Sequence, residues 1–202
     1  MILFDIDNTL VFGDKAAALY KQYSTILENT LAKLLGVEFA SAKQIADEHR
    51  IAFGGRGERA FETHGFSLIH WHDALTQLTP SAYLEPLPQT QRLLEQLRSE
   101  KYIIGAITDG PEPLIEKIFA ATHIDPLLFD FIIGWQRGKQ MPKYGLSTIF
   151  EQVCDSRNIA RNEAVMIGDS MGSDILPAKR AGLQTLHIGT TISDVTQLIN
   201  YL

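Results

Sequence analysis

Three short apolar runs in this chain each stop against polar residues: Ile2-Leu3-Phe4 before Asp5, Ile103-Ile104-Gly105-Ala106-Ile107 before Thr108, and Val165-Met166-Ile167 before Gly168-Asp169. Apolar runs this short read as buried strands. Phe131-Ile132-Ile133 and Thr185-Leu186-His187-Ile188 supply two more. From Leu87 onward helix-spaced leucines and isoleucines lie between them: Leu93, Leu94 and Leu97 before the strand that carries Thr108, then Leu114, Ile115 and Ile118 after it. Strands that alternate with helices imply an α/β fold, a doubly wound parallel sheet covered on both faces, with ligands bound beyond the carboxyl ends of the strands. The polar residues fall at those ends.

Residues 13–86 carry only helical signals. Leu27, Leu31 and Leu34 share a face, Gly36 offers a stop, and Ser41 with Gln44 makes a capping box for the next helix. The expected organisation is therefore a catalytic core of residues 1–12 and 87–202, interrupted by a small α-helical domain at 13–86. Gly13 and Pro86-Leu87-Pro88 are its boundaries.

The acidic residues constrain the chemistry. Asp5 and Asp7, spaced by two in an extended segment, approach the same space while Ile6 turns toward packing. Like charges about 4 Å apart repel by roughly 4 kcal/mol at an effective dielectric near 20. Keeping them together requires a cation, a shifted pKa, or both. Asp169 and Asp174 in Gly168-Asp169-Ser170-Met171-Gly172-Ser173-Asp174 add more negative charge. Carboxylate and carbonyl oxygens suit a hard ion, and few protein ligands beside a phosphate favour Mg²⁺ over Ca²⁺. No Cys/His spacing offers a zinc site.

With those residues in view, the chain resembles the haloacid dehalogenase superfamily of aspartate-nucleophile phosphatases, over residues 1–10 and 87–189. The first motif of that family, Asp-x-Asp-x-Thr-Leu, is matched by Asp5 through Leu10; the second, Thr or Ser after an apolar strand, by Thr108; the fourth by Asp169 and Asp174. The third departs from the pattern. Relatives place Lys directly before Pro, whereas this chain has Met141-Pro142-Lys143-Tyr144-Gly145. Lys143 is the choice by position and Lys139 the alternative.

The resemblance implies roles. Asp5 is the nucleophile that becomes phosphorylated, and Asp7 the acid that protonates the leaving oxygen and then activates water. Thr108, Lys143 and the backbone amide of Asp109 hold the phosphate. Asp5, the backbone carbonyl of Asp7 and Asp169 are the implied Mg²⁺ ligands, with Asp174 acting through water or by orienting Lys143. An acid two residues after the nucleophile favours phosphoryl chemistry over dehalogenation, since a departing halide needs no proton. The helical insertion resembles the cap of this superfamily, which would close over a small phosphorylated metabolite. The leading candidates are a nucleotidase or a phosphoglycolate-type phosphatase. The rivals are a sugar-phosphate phosphomutase, separable by its products, and a non-catalytic phosphate-binding protein, which would need neither nucleophile nor acid.

Within the insertion, Phe53-Gly54-Gly55-Arg56-Gly57-Glu58-Arg59 joins glycines to two guanidinium groups, so Arg56 and Arg59 are candidates to touch a substrate or simply to cover a helix junction. His70-Trp71-His72-Asp73 suggests a metal site at first glance, but two His at i and i+2 share a face only in a strand. In a helical region they read as packing or surface residues.

Composition agrees with a soluble enzyme. At 202 residues and 45% hydrophobic content the chain buries a full core. The net charge of −6 argues against a nucleic-acid partner. Cys154 is the single cysteine and sits in an expected helix, 147–156, so it reads as a core thiol in a reducing, cytoplasmic setting. Met1 leads directly into the first strand with no basic leader, and no apolar run nears the roughly 20 residues a bilayer span needs. Neither export nor a membrane partner is expected, and the enzyme is expected to act as a monomer or homodimer.

Overall fold

The computed structural model describes residues 1–144 and 148–200. Five strands form one sheet: β1 (Ile2–Phe4), β2 (Ile104–Pro111), β3 (Phe131–Trp135), β4 (Val165–Gly168) and β5 (Gln184–His187). Their order is β3-β2-β1-β4-β5, and every pairing is parallel. β1 thus lies in the middle, Phe4 beside Ala106 on one flank and Ile167 on the other.

The sheet is covered on both faces because its strands are apolar on both. Ile2 and Phe4 point into the cluster built with Leu94 and Leu97 of α5 (Pro88–Ser99) and Leu114 and Ile118 of α6 (Glu112–Thr122). Leu3 points the other way, toward Phe150, Val153 and Cys154 of α7 (Thr148–Ser156) and Ala178 of α8 (Leu176–Arg180). This is the period-two alternation of a strand buried on both sides. The expectation for Cys154 holds: it is a buried free thiol. Ser147, expected to open α7, lies outside the described residues.

Between β1 and α5 run four α-helices, α1 (Asp14–Leu35), α2 (Phe39–Ala52), α3 (Arg59–Thr63) and α4 (Ile69–Thr76), and a short 3-10 turn, Pro80–Ala82. They bury a cluster of their own, in which Leu27 and Leu31 meet Ala42, Ala46, Ala60 and Phe61. Gly36 ends α1 as expected, at φ 67° with its amide on the Ala32 carbonyl, in the left-handed region where a Cβ is costly. Ser41 and Gln44 do not form the expected capping box. α2 begins two residues earlier, and the Ser41 amide already bonds the Glu38 carbonyl, so Ser41 is a first-turn residue. Its partner Gln44 pairs with Glu48 instead. No described helix is long and apolar enough to cross a membrane.

Candidate active site

The site grows from the ends of β1, β2 and β4. Asp5 follows the last residue of β1, and its amide donates to the Ile167 carbonyl at 2.9 Å, so the side chain leaves from the sheet's centre. It is only 5% exposed. Pleat alternation does not carry Asp7 into the same space, because β1 has already ended at Phe4. A tight turn does so instead: Asn8 adopts a left-handed conformation at φ 56°, and the Val11 amide closes back on the Ile6 carbonyl at 3.0 Å. Asn8 is a residue type that tolerates this region. Ile6 packs inward, 1% exposed, as expected.

Thr108 lies within β2, 2% exposed, and its hydroxyl accepts the Gly110 amide at 3.0 Å. Asp169 follows β4, and Asp174 sits in a π-helical turn, Met171–Ile175, leading to α8. Gly168 permits that approach. A Cβ there would lie 2.3 Å from Asp174 Oδ2, closer than any side chain tolerates.

Lys143 fills the gap between the acids. Its Nζ lies 2.5 Å from Asp5 Oδ1 and 2.6 Å from Asp174 Oδ1, with the side chain fully buried. The other Asp174 oxygen accepts the Ser170 amide at 3.0 Å, so Asp174 is committed to the lysine and to its own turn. Lys139, the alternative, is at the surface, where its carbonyl receives the Trp135 indole N–H. The structure brings Lys143 to the acids and leaves Lys139 outside.

Electrostatics mark this cluster as unusual. Burial pushes the Asp5 carboxyl well above its ordinary value, Asp174 and Asp7 push the same way, and Lys143 opposes them. Asp7 is raised to about 6, first by burial and then by the charge of Asp169; Lys143 and the hydroxyls of Tyr20 and Tyr23 resist. Among the described residues its Oδ1 is shut away from water without a hydrogen-bond partner. Asp169 is also raised, by burial and by Asp174. For Lys143 burial alone would favour the neutral amine, but Asp174 and Asp5 outweigh it and keep the ammonium charged.

Asp5, Asp7, Asp169 and Asp174 are thus all within electrostatic reach of the Lys143 ammonium. Asp5, Asp169 and Asp174 hold oxygens within 4.8 Å of one another. An all-oxygen donor set carrying excess negative charge fits a hard divalent cation. Asp7's carboxylate is not in that set, so its expected part in metal binding rests on its backbone carbonyl alone.

The insertion supplies residues that sequence reasoning missed. Tyr20 and Tyr23, one turn apart on α1, both lie near Asp7; the Tyr20 hydroxyl accepts the Asn8 amide and donates to the Val11 carbonyl. Helical periodicity places such residues on a face but gives no sign of what lies opposite. Tyr23, Trp71 and Leu75 join Asp5, Asp7, Thr108, Lys143 and Asp169 around a cavity of about 210 Å³.

Arg56 and Arg59 do not line that cavity. Arg56 pairs with Asp109 at 3.0 Å and with Glu58 at 3.1 Å, while Arg59 pairs with Glu62 and lies 4.0 Å from the Tyr144 ring centroid. Both guanidiniums are drawn to protein carboxylates and an aromatic face, which the sequence spacing did not reveal. His72 packs edge-on against Trp135, consistent with the packing role expected for this stretch.

The model of one family, described as haloacid dehalogenase-like hydrolase, matches residues 2–188. The chain belongs to this family. Among curated relatives it is 30% identical over 200 residues to a glyceraldehyde 3-phosphate phosphatase of Pyrococcus abyssi, covering 92% of this chain and 79% of that one. It is 27% identical over 195 residues to a phosphoglycolate phosphatase of Aquifex aeolicus, covering 92% and 82%. The solved structure of a haloacid dehalogenase-like phosphatase from Thermococcus onnurineus superposes with a TM-score of 0.69 at 22% identity, over 99% of this chain and 96% of that one, a likeness of fold. Family and relatives together make the chain an enzyme, a hydrolase of the phosphatase kind.

Proposed function

We propose that the protein is a Mg²⁺-dependent phosphomonoester hydrolase that works through an aspartyl-phosphate on Asp5. The observation that carries the reading is the second carboxyl in the cavity: Asp7 lines the same space as Asp5 and is raised to about 6. A group of that pKa can hold a proton for a leaving alkoxide and later take one from water near neutral pH, where an ordinary carboxylate serves only as a base.

Asp5 would attack phosphorus while the ester oxygen leaves with the proton of Asp7. The acyl phosphate so formed would then be hydrolysed by a water that gives its proton back to Asp7. Lys143 and the Thr108 hydroxyl would hold the nonbridging oxygens as charge develops on them. Mg²⁺, held by Asp5 and Asp169 with the Asp7 carbonyl and with Asp174 behind Lys143, would offset the repulsion between carboxylate and phosphate.

The size of the cavity suits a small substrate. Sites for drug-sized ligands run to roughly 300–1,000 Å³, and this cavity holds about 210 Å³. A leaving group of a few heavy atoms is favoured over a nucleoside. The helices α1–α4 would act as the cap, with Tyr23, Trp71 and Leu75 shaping the space for that group.

The test is a panel of small phosphomonoesters, led by the glyceraldehyde 3-phosphate and phosphoglycolate named for its relatives, with a nucleoside monophosphate for comparison, run with Mg²⁺ or EDTA. Asp5→Asn should fold but lose turnover by at least about a thousandfold, because a carboxamide cannot form the acyl phosphate. Unchanged turnover in that variant sinks the assignment.

A further inference from the structure

The Lys143–Tyr144 segment belongs to no strand or helix, yet it is clamped from two sides. Asp109 receives the Lys143 amide on Oδ1 at 2.7 Å and the Arg56 guanidinium on Oδ2 at 3.0 Å. The same Arg56 nitrogen, Nη2, donates to the Lys143 carbonyl at 3.3 Å, and Nη1 is held by the buried Glu58 at 3.1 Å. Both backbone polar groups of Lys143 are thus satisfied by one unit, half of which comes from the insertion. The next residue is gripped as well: the Tyr144 hydroxyl bonds Glu62, and the guanidiniums of Arg59 and Arg56 lie 4.0 and 5.1 Å from its ring centroid.

The far end of the lysine is the ammonium between Asp5 and Asp174. A side chain reaches a fixed point only if its backbone is fixed, and a turn closed by one backbone bond, from the Tyr144 amide to the Met141 carbonyl at 3.2 Å, leans on its neighbours for the rest. We infer that Arg56 is a positioning residue: through Asp109 it ties the seat of the helical insertion to the place of Lys143, so that the lysine stands ready at the acids when the insertion is docked. This rests on the reading of the cavity as a phosphoryl-transfer site. It gives Arg56 a different part from direct contact with substrate.

The distinction is measurable. Misplacing a reacting group by about 1 Å can cost roughly a hundredfold. Arg56→Ala should therefore lower kcat by about ten- to a hundredfold for both a small phosphomonoester and p-nitrophenyl phosphate. KM should move less than about threefold, since the interaction lost is made in the transition state rather than with the ground-state ester. Millimolar guanidinium added to the variant should recover part of kcat, because the missing group is a guanidinium between fixed acceptors.

If Arg56→Ala does not fold, Arg56→Gln, which keeps a donor on a shorter stem, carries the same comparison. A preserved kcat, or a loss carried mainly by KM, overturns the inference. Absence of phosphomonoesterase activity in the unaltered protein would overturn the underlying reading instead, so the two failures are distinguishable.

Discussion

Asp7 shows what two neighbouring carboxyls can do when their surroundings differ. Asp5 is bonded to an ammonium, whereas Asp7 has one oxygen that, among the described residues, is sealed from water without a partner, and two tyrosines close by. An acid role predicts a dependence on leaving group: Asp7→Asn should slow an alkyl phosphate at least about tenfold more than p-nitrophenyl phosphate, whose departing oxygen scarcely needs a proton. Equal losses on the two esters would remove that role. Asp5, Thr108 and Asp169 were legible in the sequence because each stands close behind an apolar run that reads as a strand, and Asp7 and Asp174 because they complete motifs shared with the family. Lys143 was legible only by position, since a loop lysine carries no periodic signal. The tyrosines on α1 and the partners of Arg56 were not, because their meaning depends on how the insertion packs against the core.

The elements were read well where packing and propensity agreed. The five strands and the helices around them follow from runs that fill both faces of a parallel sheet, and α1 ends where glycine allows. Boundaries set by hydrogen bonds were harder to see. β1 stops at Phe4, one residue short of the acids, and α2 starts ahead of the serine expected to cap it.

One boundary carries a prediction. Asp130, just before β3, accepts the Ile104 amide at 2.8 Å and pairs with Arg98 at 2.6 Å. Burial would raise its carboxyl, but these partners outweigh burial and hold it below the ordinary value. A folded pKa below the unfolded one means stability that is present at neutral pH and lost as pH falls through the folded value. Asp130→Asn should cost under about 1 kcal/mol at pH 7, the site being partly exposed, and the gap should narrow in acid. Chemical denaturation at pH 7 and pH 3 measures it, and a gap that widens in acid would refute the sign.

For the molecule as a whole, the acid cluster acts in the opposite sense. Asp5, Asp7 and Asp169 all have folded pKa values above the ordinary carboxylate value. Their contribution to stability is complete below the unfolded pKa and is lost as pH rises through the folded values, about 6 for Asp7. Metal-free protein should therefore melt at a lower temperature at pH 7.5 than at pH 5. Mg²⁺ binds the ionised forms and should raise Tm by a few degrees at pH 7.5 and by less at pH 5. Thermal melts with EDTA and with Mg²⁺ at both values decide the matter; equal shifts would mean that the cation binds elsewhere.

The central place of β1 bears on how such an enzyme fails. Its amides are enclosed by strands on either side, so their exchange with deuterated solvent should require opening of the entire sheet rather than local fraying. Asp5, the proposed nucleophile, would then be anchored to the last structure to let go. Substitutions that weaken outlying parts of the core would then reduce how many molecules are native while leaving each native molecule as fast as before.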